Sequence, residues 1–222
     1  MQRSEVNRYL AEAMSFFTAQ KFCLPPFAFW SPEYWATLGA TGQYIRQRGL
    51  GWDVTDFGSG KFTECGLLLF TMRNGLVGDP SKIFAEKIMV VRPHQRTPFH
   101  FHFEKTEDII NRGGGKLVIE LYNSDQQGGF ADTEIRVRCD GLERIVVPGG
   151  RVILEPGESI TLVPGLYHSF YAIGGNAMVG EVSSVNDDTK DNRFHDPLPR
   201  FTKIIEDERP LHPLCSDYHR DV

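Results

Sequence analysis

The sequence predicts an all-β dominated protein: an antiparallel β-barrel of the jelly-roll kind, with helices before it and an irregular C-terminal extension after it. Three observations carry this. Short apolar runs recur from Gly66 to Ser183 at roughly 8 to 12 residue spacing, the rhythm of a sandwich or barrel. Turn pairs separate most of them: Asp140-Gly141, Gly149-Gly150, Pro156-Gly157, Pro164-Gly165 and Gly174-Gly175. Helical periodicity is confined to the residues before Gly49. With 222 residues the chain suits one domain, with a helical N-terminal extension over 1–60, a barrel over 62–185 and a C-terminal extension over 186–222.

Taken in order, Ser4 is a candidate cap for a first helix, because Val6, Leu10, Met14 and Phe17 follow at near-helical spacing. This helix should end before Phe22. Ser31-Pro32-Glu33 then starts a second, since serine caps, proline suits the first turn and glutamate favours the positive end. Its aromatic residues, Tyr34 and Trp35, are read as packing. The glycine-rich stretch from Gly49 to Phe62 is loop or edge structure leading into β. Residues 66–73 read as a strand closed by Asn74-Gly75, and 82–92 as the next. Further strands are expected at 116–122, 133–139, 142–147, 151–154, 159–162, 167–172 and 177–183. The glycine run Gly113-Gly114-Gly115 reads as a barrel turn, because it lacks the strand-to-helix setting of a phosphate loop.

Composition narrows the function. Twenty-four Lys and Arg against 29 Asp and Glu give a net charge of -5, without a dense basic run, which argues against nucleic acid or an anionic membrane as partner. No segment approaches ~18 continuous apolar residues and no signal peptide is evident, so a cytoplasmic protein is expected. Cys23, Cys65, Cys139 and Cys215 form no CxxC pair and are read as reduced thiols.

The chemistry concentrates in TPFHFHFEKTEDIINRGGG. His100 and His102 lie two apart among Phe99, Phe101 and Phe103. In a strand the side-chain period is two, so the imidazoles share one face and the phenylalanines the other. Glu107 follows five residues after His102, and PGLYHSF offers His168 behind the Pro164-Gly165 turn. Three imidazoles and one carboxylate are ligands of a divalent transition metal. His94, His195, His212 and His219 are read as surface residues outside this set.

The run His-x-His, four residues, Glu107, six residues, Gly114, followed by Gly165-x-x-His168, resembles the two signature motifs of the cupin superfamily. The second departs in part: it has Pro-Gly where Pro-x-Gly is usual, and Ala172 where an asparagine is common. The resemblance implies that His100, His102, Glu107 and His168 bind one metal. Four protein ligands leave two positions of an octahedral ion open, which favours manganese, then iron, with cobalt or nickel possible; zinc with four ligands would tend to be closed.

A closer resemblance covers residues 24 to about 194. LPPFAFWSPEYW, GLGWDVTDFG, LFTMRNG, AEKIMVVR, the histidine stretch, PGLYHSF and VGEVSSVNDD all make the chain similar to the bacterial D-lyxose isomerase family. That implies reversible conversion of D-lyxose to D-xylulose, often with D-mannose to D-fructose, a divalent metal and a homodimer. Such a reaction moves a proton between carbons next to a carbonyl, and the sugar oxygens need charge stabilisation while a positioned base carries the proton. Charged residues inside strands beside the ligands are candidates for that base: Lys87 and Glu181. An ammonium serves as a base only where burial or a cation depresses its pKa from ~10.4; a carboxylate needs no such shift. The alternatives are a Lys87 pointing outward and a Glu181 orienting a ligand histidine. Glu120 and Tyr122 alternate with Leu117, Ile119 and Leu121, so they either bind sugar hydroxyls in the pocket or occupy a solvated face. Two rival functions share the ligand set: a metal-dependent dioxygenase and a non-catalytic sugar-binding protein.

Overall fold

The computed structural model describes residues 1–185, 187 and 190–218. Helix α1, Arg3–Ala19, precedes two short helices, α2 (Pro32–Thr37) and α3 (Gln43–Gln47). The first strands are β1 (Gly51–Thr55), β2 (Leu67–Arg73), β3 (Phe84–Val91) and β4 (His100–His102). The long β5 (Glu107–Ser124) comes next, then β6 (Phe130–Ala131), β7 (Ile135–Cys139), β8 (Leu142–Val146), β9 (Arg151–Leu154) and β10 (Ser159–Leu162). A second long strand, β11 (Leu166–Ser184), and β12 (Asn192–Phe194) complete the sheet. The pairings between these strands are antiparallel, in the order β1-β2-β3-β11-β5-β10-β7-β8, with β4 joining β11 to β12 and with β6 and β9 alongside β5. This is the barrel architecture expected from the alternating short apolar runs.

Strand alternation divides the apolar residues into two layers. Leu69, Met89, Val91, Ile109, Leu117, Ile119, Val179 and their neighbours fill the barrel interior. Leu68, Phe70, Ile88 and Val90 point to the other face, where Val6, Leu10, Ala13 and Phe17 of α1 cover them. The helical spacing of those four residues therefore exists to cover the outside of β2 and β3.

Several local expectations are corrected. Gln2, not Ser4, precedes α1, and the Gln2 N–H donates to Glu5 at 2.9 Å. Ser4 donates from its backbone N–H and its hydroxyl to Asp207, at 2.9 and 2.6 Å, so the C-terminal extension supplies the cap. Ser31 caps α2 as expected, accepting from the Tyr34 N–H at 3.2 Å. Trp35 is buried but Tyr34 is 48% exposed, so only part of that aromatic stripe packs. The stretch read as loop or edge contains β1, the strand at one end of the sheet order. Asn74-Gly75 opens a longer connection, because Gly75 lacks the positive φ that a tight hairpin turn requires.

The largest difference lies at the glycines. Gly113-Gly114-Gly115 and Gly174-Gly175 are not turns; they lie inside β5 and β11, which run on past them as partners with register shifts there. Gly114 has φ +84°, and a Cβ on it would collide with the Asn176 carbonyl oxygen. Glycine thus lets two long strands bend together without parting, so each serves two parts of the barrel.

Candidate active site

Local pairing assembles the site. On β4, His100 and His102 face inward while Phe101 packs on Tyr167, with ring centroids 4.8 Å apart. The phenylalanine backing is incomplete, since Phe103 is 53% exposed. His168 on β11 stands directly opposite His100. The His100 and His168 ring centroids are 4.2 Å apart, and the ligand-type atoms of His100, His102 and His168 lie within 4.8 Å of one another. A bend at 103–106 returns the chain to Glu107, as the sequence requires. Its Oε1 is 3.2 Å from His168 Nε2 and 3.5 Å from His102 Nε2.

The tautomers suit a metal. The Nδ1 atoms of His100 and His168 lie 2.9 and 3.0 Å from the carbonyls of Pro98 and Leu166. A neutral ring donating there leaves Nε2 with its lone pair free. His102 is buried with neither ring nitrogen hydrogen-bonded, which is costly without another partner. Burial pushes the pKa of His100 well below its ordinary value, with His168 and His102 adding to the effect. Burial also lowers that of His102, helped by the charge on Lys105. Burial alone would raise the Glu107 carboxyl, but Lys105, His102 and His168 outweigh it and hold Glu107 well below the usual carboxylate range. Neutral imidazoles around an ionised carboxylate are the donor state a divalent cation needs, so these residues fit a metal.

Lys87 and Glu181 occupy directly paired positions of β3 and β11. Both face inward and are buried, with Lys87 Nζ 3.2 Å from Glu181 Oε1. They line the same cleft as the three histidines and Glu107. Alternation explains the placement: Lys87 shares its face with Met89 and Val91 of the interior, while Ile88 and Val90 face α1.

Sequence reasoning missed Lys105. It is buried, with Nζ 2.6 Å from Glu107 Oε2 and 3.0 Å from Glu181 Oε1, so it links the Glu107 carboxylate to the Lys87–Glu181 pair. Its position two residues before Glu107 was the available signal, since an extended segment puts both on one face. Asn192, Phe194 and Arg200 of the C-terminal extension also line the cleft, as does Phe57. These residues sit in stretches without periodicity and carry no comparable signal.

Glu120 and Tyr122 do not join the cleft. Leu117, Ile119 and Leu121 take the interior, so alternation turns Glu120 and Tyr122 to the opposite face. There Glu120 is bound by Arg96 and, at 2.7 Å, by Arg151, and Tyr122 stacks on Phe130 with centroids 4.1 Å apart. The pocket reading of these two residues is therefore corrected. His94 is exposed and His195 stacks on Phe130. His212 is buried rather than on the surface, its Nδ1 3.0 Å from the Trp30 carbonyl. His219 lies outside the described residues. All four cysteines are free thiols. Among the described residues no helix is long and apolar enough to cross a membrane.

Comparison with known proteins identifies relatives of the chain and of its fold. Residues 1–218 match the family described as D-lyxose isomerase. The chain is 48% identical over 227 residues to a D-lyxose/D-mannose isomerase of Serratia proteamaculans, with 100% of each covered. It is 49% identical over 225 residues to a protein of the same description from Escherichia coli O157:H7, with 99% of each covered. Its fold is similar to that of an L-ribose isomerase of Acinetobacter sp. DL28 in complex with L-ribose, with a TM-score of 0.60 at 14% identity, covering 92% of this chain and 98% of that one. An L-ribose isomerase of Cellulomonas parahominis with L-ribose gives a TM-score of 0.56 at 17% identity over 92% and 98% of the two chains.

Proposed function

The chain belongs to the D-lyxose isomerase family, and we propose that it interconverts D-lyxose and D-xylulose, and D-mannose and D-fructose, by proton transfer between C1 and C2 of the sugar. The observation that carries this is the contact of Lys87 with Glu181, 3.2 Å apart and buried, in the cleft that also holds His100, His102 and His168.

In this reading His100, His102, His168 and Glu107 would hold a divalent metal, manganese before iron. When bound, that ion supplies Lewis-acid stabilisation of negative charge on the sugar oxygens. Lys87 and Glu181 handle the two protons: one group takes the proton from C2 and returns it to C1, and the other takes the hydroxyl proton from O2 and delivers it to O1, so that every proton lost from the aldose is found in the ketose. Lys105 holds Glu107 and Glu181 in place through its two ion pairs. Phe57 and Phe194 line the cleft beside the histidines. The reading extends to a cytoplasmic homodimer that acts on free sugar as one domain.

The test is substitution of the charged pair. Glu181→Gln and Lys87→Met should bind Mn(II) at the wild-type stoichiometry while losing at least ~100-fold in ketose formation from D-lyxose. Turnover within a few fold of wild type in both variants would refute the assignment and move the proton transfer to other groups of the cleft.

A further inference from the structure

The three imidazoles differ in what holds them from behind. His100 and His168 each direct Nδ1 at the carbonyl of the residue two before, but His102 has no such partner. A neutral His102 that offers Nε2 to a cation carries its proton on Nδ1, and a buried N–H without an acceptor is unfavourable by ~1–3 kcal/mol. The charged acceptor on that side is Asp191, whose Oδ2 lies 3.8 Å from His102 Nδ1.

Asp191 is itself fixed. Its Oδ1 accepts from the Glu104 N–H at 2.8 Å and its Oδ2 from the Lys105 N–H at 3.2 Å. Its carbonyl accepts from the Phe103 N–H at 3.2 Å, and it is 8% exposed. The next residue, Asn192, begins β12 in register with His102. The C-terminal extension thus delivers one immobilised carboxylate behind the one imidazole that lacks a backbone carbonyl partner.

We propose that Asp191 is a positioning residue, orienting His102 and fixing its Nδ1–H tautomer for metal binding. A ligand histidine is commonly held by a carboxylate in this way, and loss of that partner typically weakens metal affinity ~10–100-fold. The same carboxylate grips the bend from which Lys105 and Glu107 enter the site, so the extension and the metal ligands form one unit. This assignment rests on the metal-site reading above.

The decisive measurement is Mn(II) affinity, read from the free-ion electron paramagnetic resonance signal, in a double-mutant cycle. Asp191→Asn and Asp191→Ser both keep an acceptor for the Glu104 amide while removing the charge. Each should weaken Mn(II) binding ~10–100-fold in the wild-type background and by less than about 3-fold in a His102→Gln background, which keeps a side-chain oxygen donor for the ion but has no ring left to orient. Unchanged affinity in the first background, or an equal loss in both, would overturn the assignment; the latter would mean that Asp191 acts only through the bend. Wild-type protein that binds no Mn(II) would overturn the metal reading, and this assignment with it.

Discussion

At the residue scale the site depends on Lys105, which touches two carboxylates without belonging to either strand that carries the proton-handling pair. Removing it leaves Glu107 and Glu181 buried with one positive partner fewer, and breaking a buried ion pair from one side typically costs ~3–5 kcal/mol. Lys105→Met should therefore lower the stability of the metal-free protein in denaturant by that order, and unchanged stability would show the two ion pairs to be energetically idle. Lys87 and Glu181 were legible as candidates because charge inside a strand beside the ligands is hard to explain, but an outward Lys87 stayed open in the sequence, and only the alternation with Met89 and Val91 of the interior decides it. Glu120 looked similar, yet the interior demands of Leu117, Ile119 and Leu121 turned it away. Arg96 and Arg151, which satisfy Glu120, come from distant parts of the chain that no local pattern connects.

At the element scale the bent pair β5 and β11 is what brings ligands and base together. One half of β11 gives His168, the other gives Glu181, and the bend at Gly174-Gly175 lies between them. β5 bends at the same level, at Gly113-Gly114. Gly114→Ala meets both the positive φ and the Asn176 carbonyl, so a loss of ~1–3 kcal/mol is expected in chemical denaturation; a neutral result would mean that the strands part at this level. Turn chemistry was read correctly as a change of direction but wrongly as a chain break, because glycine supplies the same freedom to a bulge and to a turn. The C-terminal extension shows the opposite limit. Asp191, Asn192 and Phe194 reach the site through pairing of β12 with β4, and a three-residue strand has no period to detect.

At the scale of the whole molecule, packing and metal are separate sources of stability. The two apolar layers need no ion, so His168→Ala should abolish metal binding by elemental analysis while the circular dichroism of the barrel survives; loss of the fold would make the metal structural. The pKa shifts give a direction for pH. The imidazoles of His100 and His102 titrate below their ordinary value in the folded state, so the unfolded chain takes up protons first as pH falls through ~6.5. Stability of the metal-stripped protein is therefore fully present above that pH and declines as pH falls toward the folded values, which thermal melts from pH 8 to 5 would display as a falling Tm. A flat profile would mean that these rings are not buried neutral. The central claim is metal-assisted proton transfer on a free aldose, and one assay addresses it most directly: metal-stripped protein given Mn(II) and D-lyxose under nitrogen, with ketose measured beside a metal-free control and a D-mannose arm. Ketose formed only with metal, and without oxygen, is the predicted result and excludes a dioxygenase. No ketose from either sugar with Mn(II) bound would contradict it.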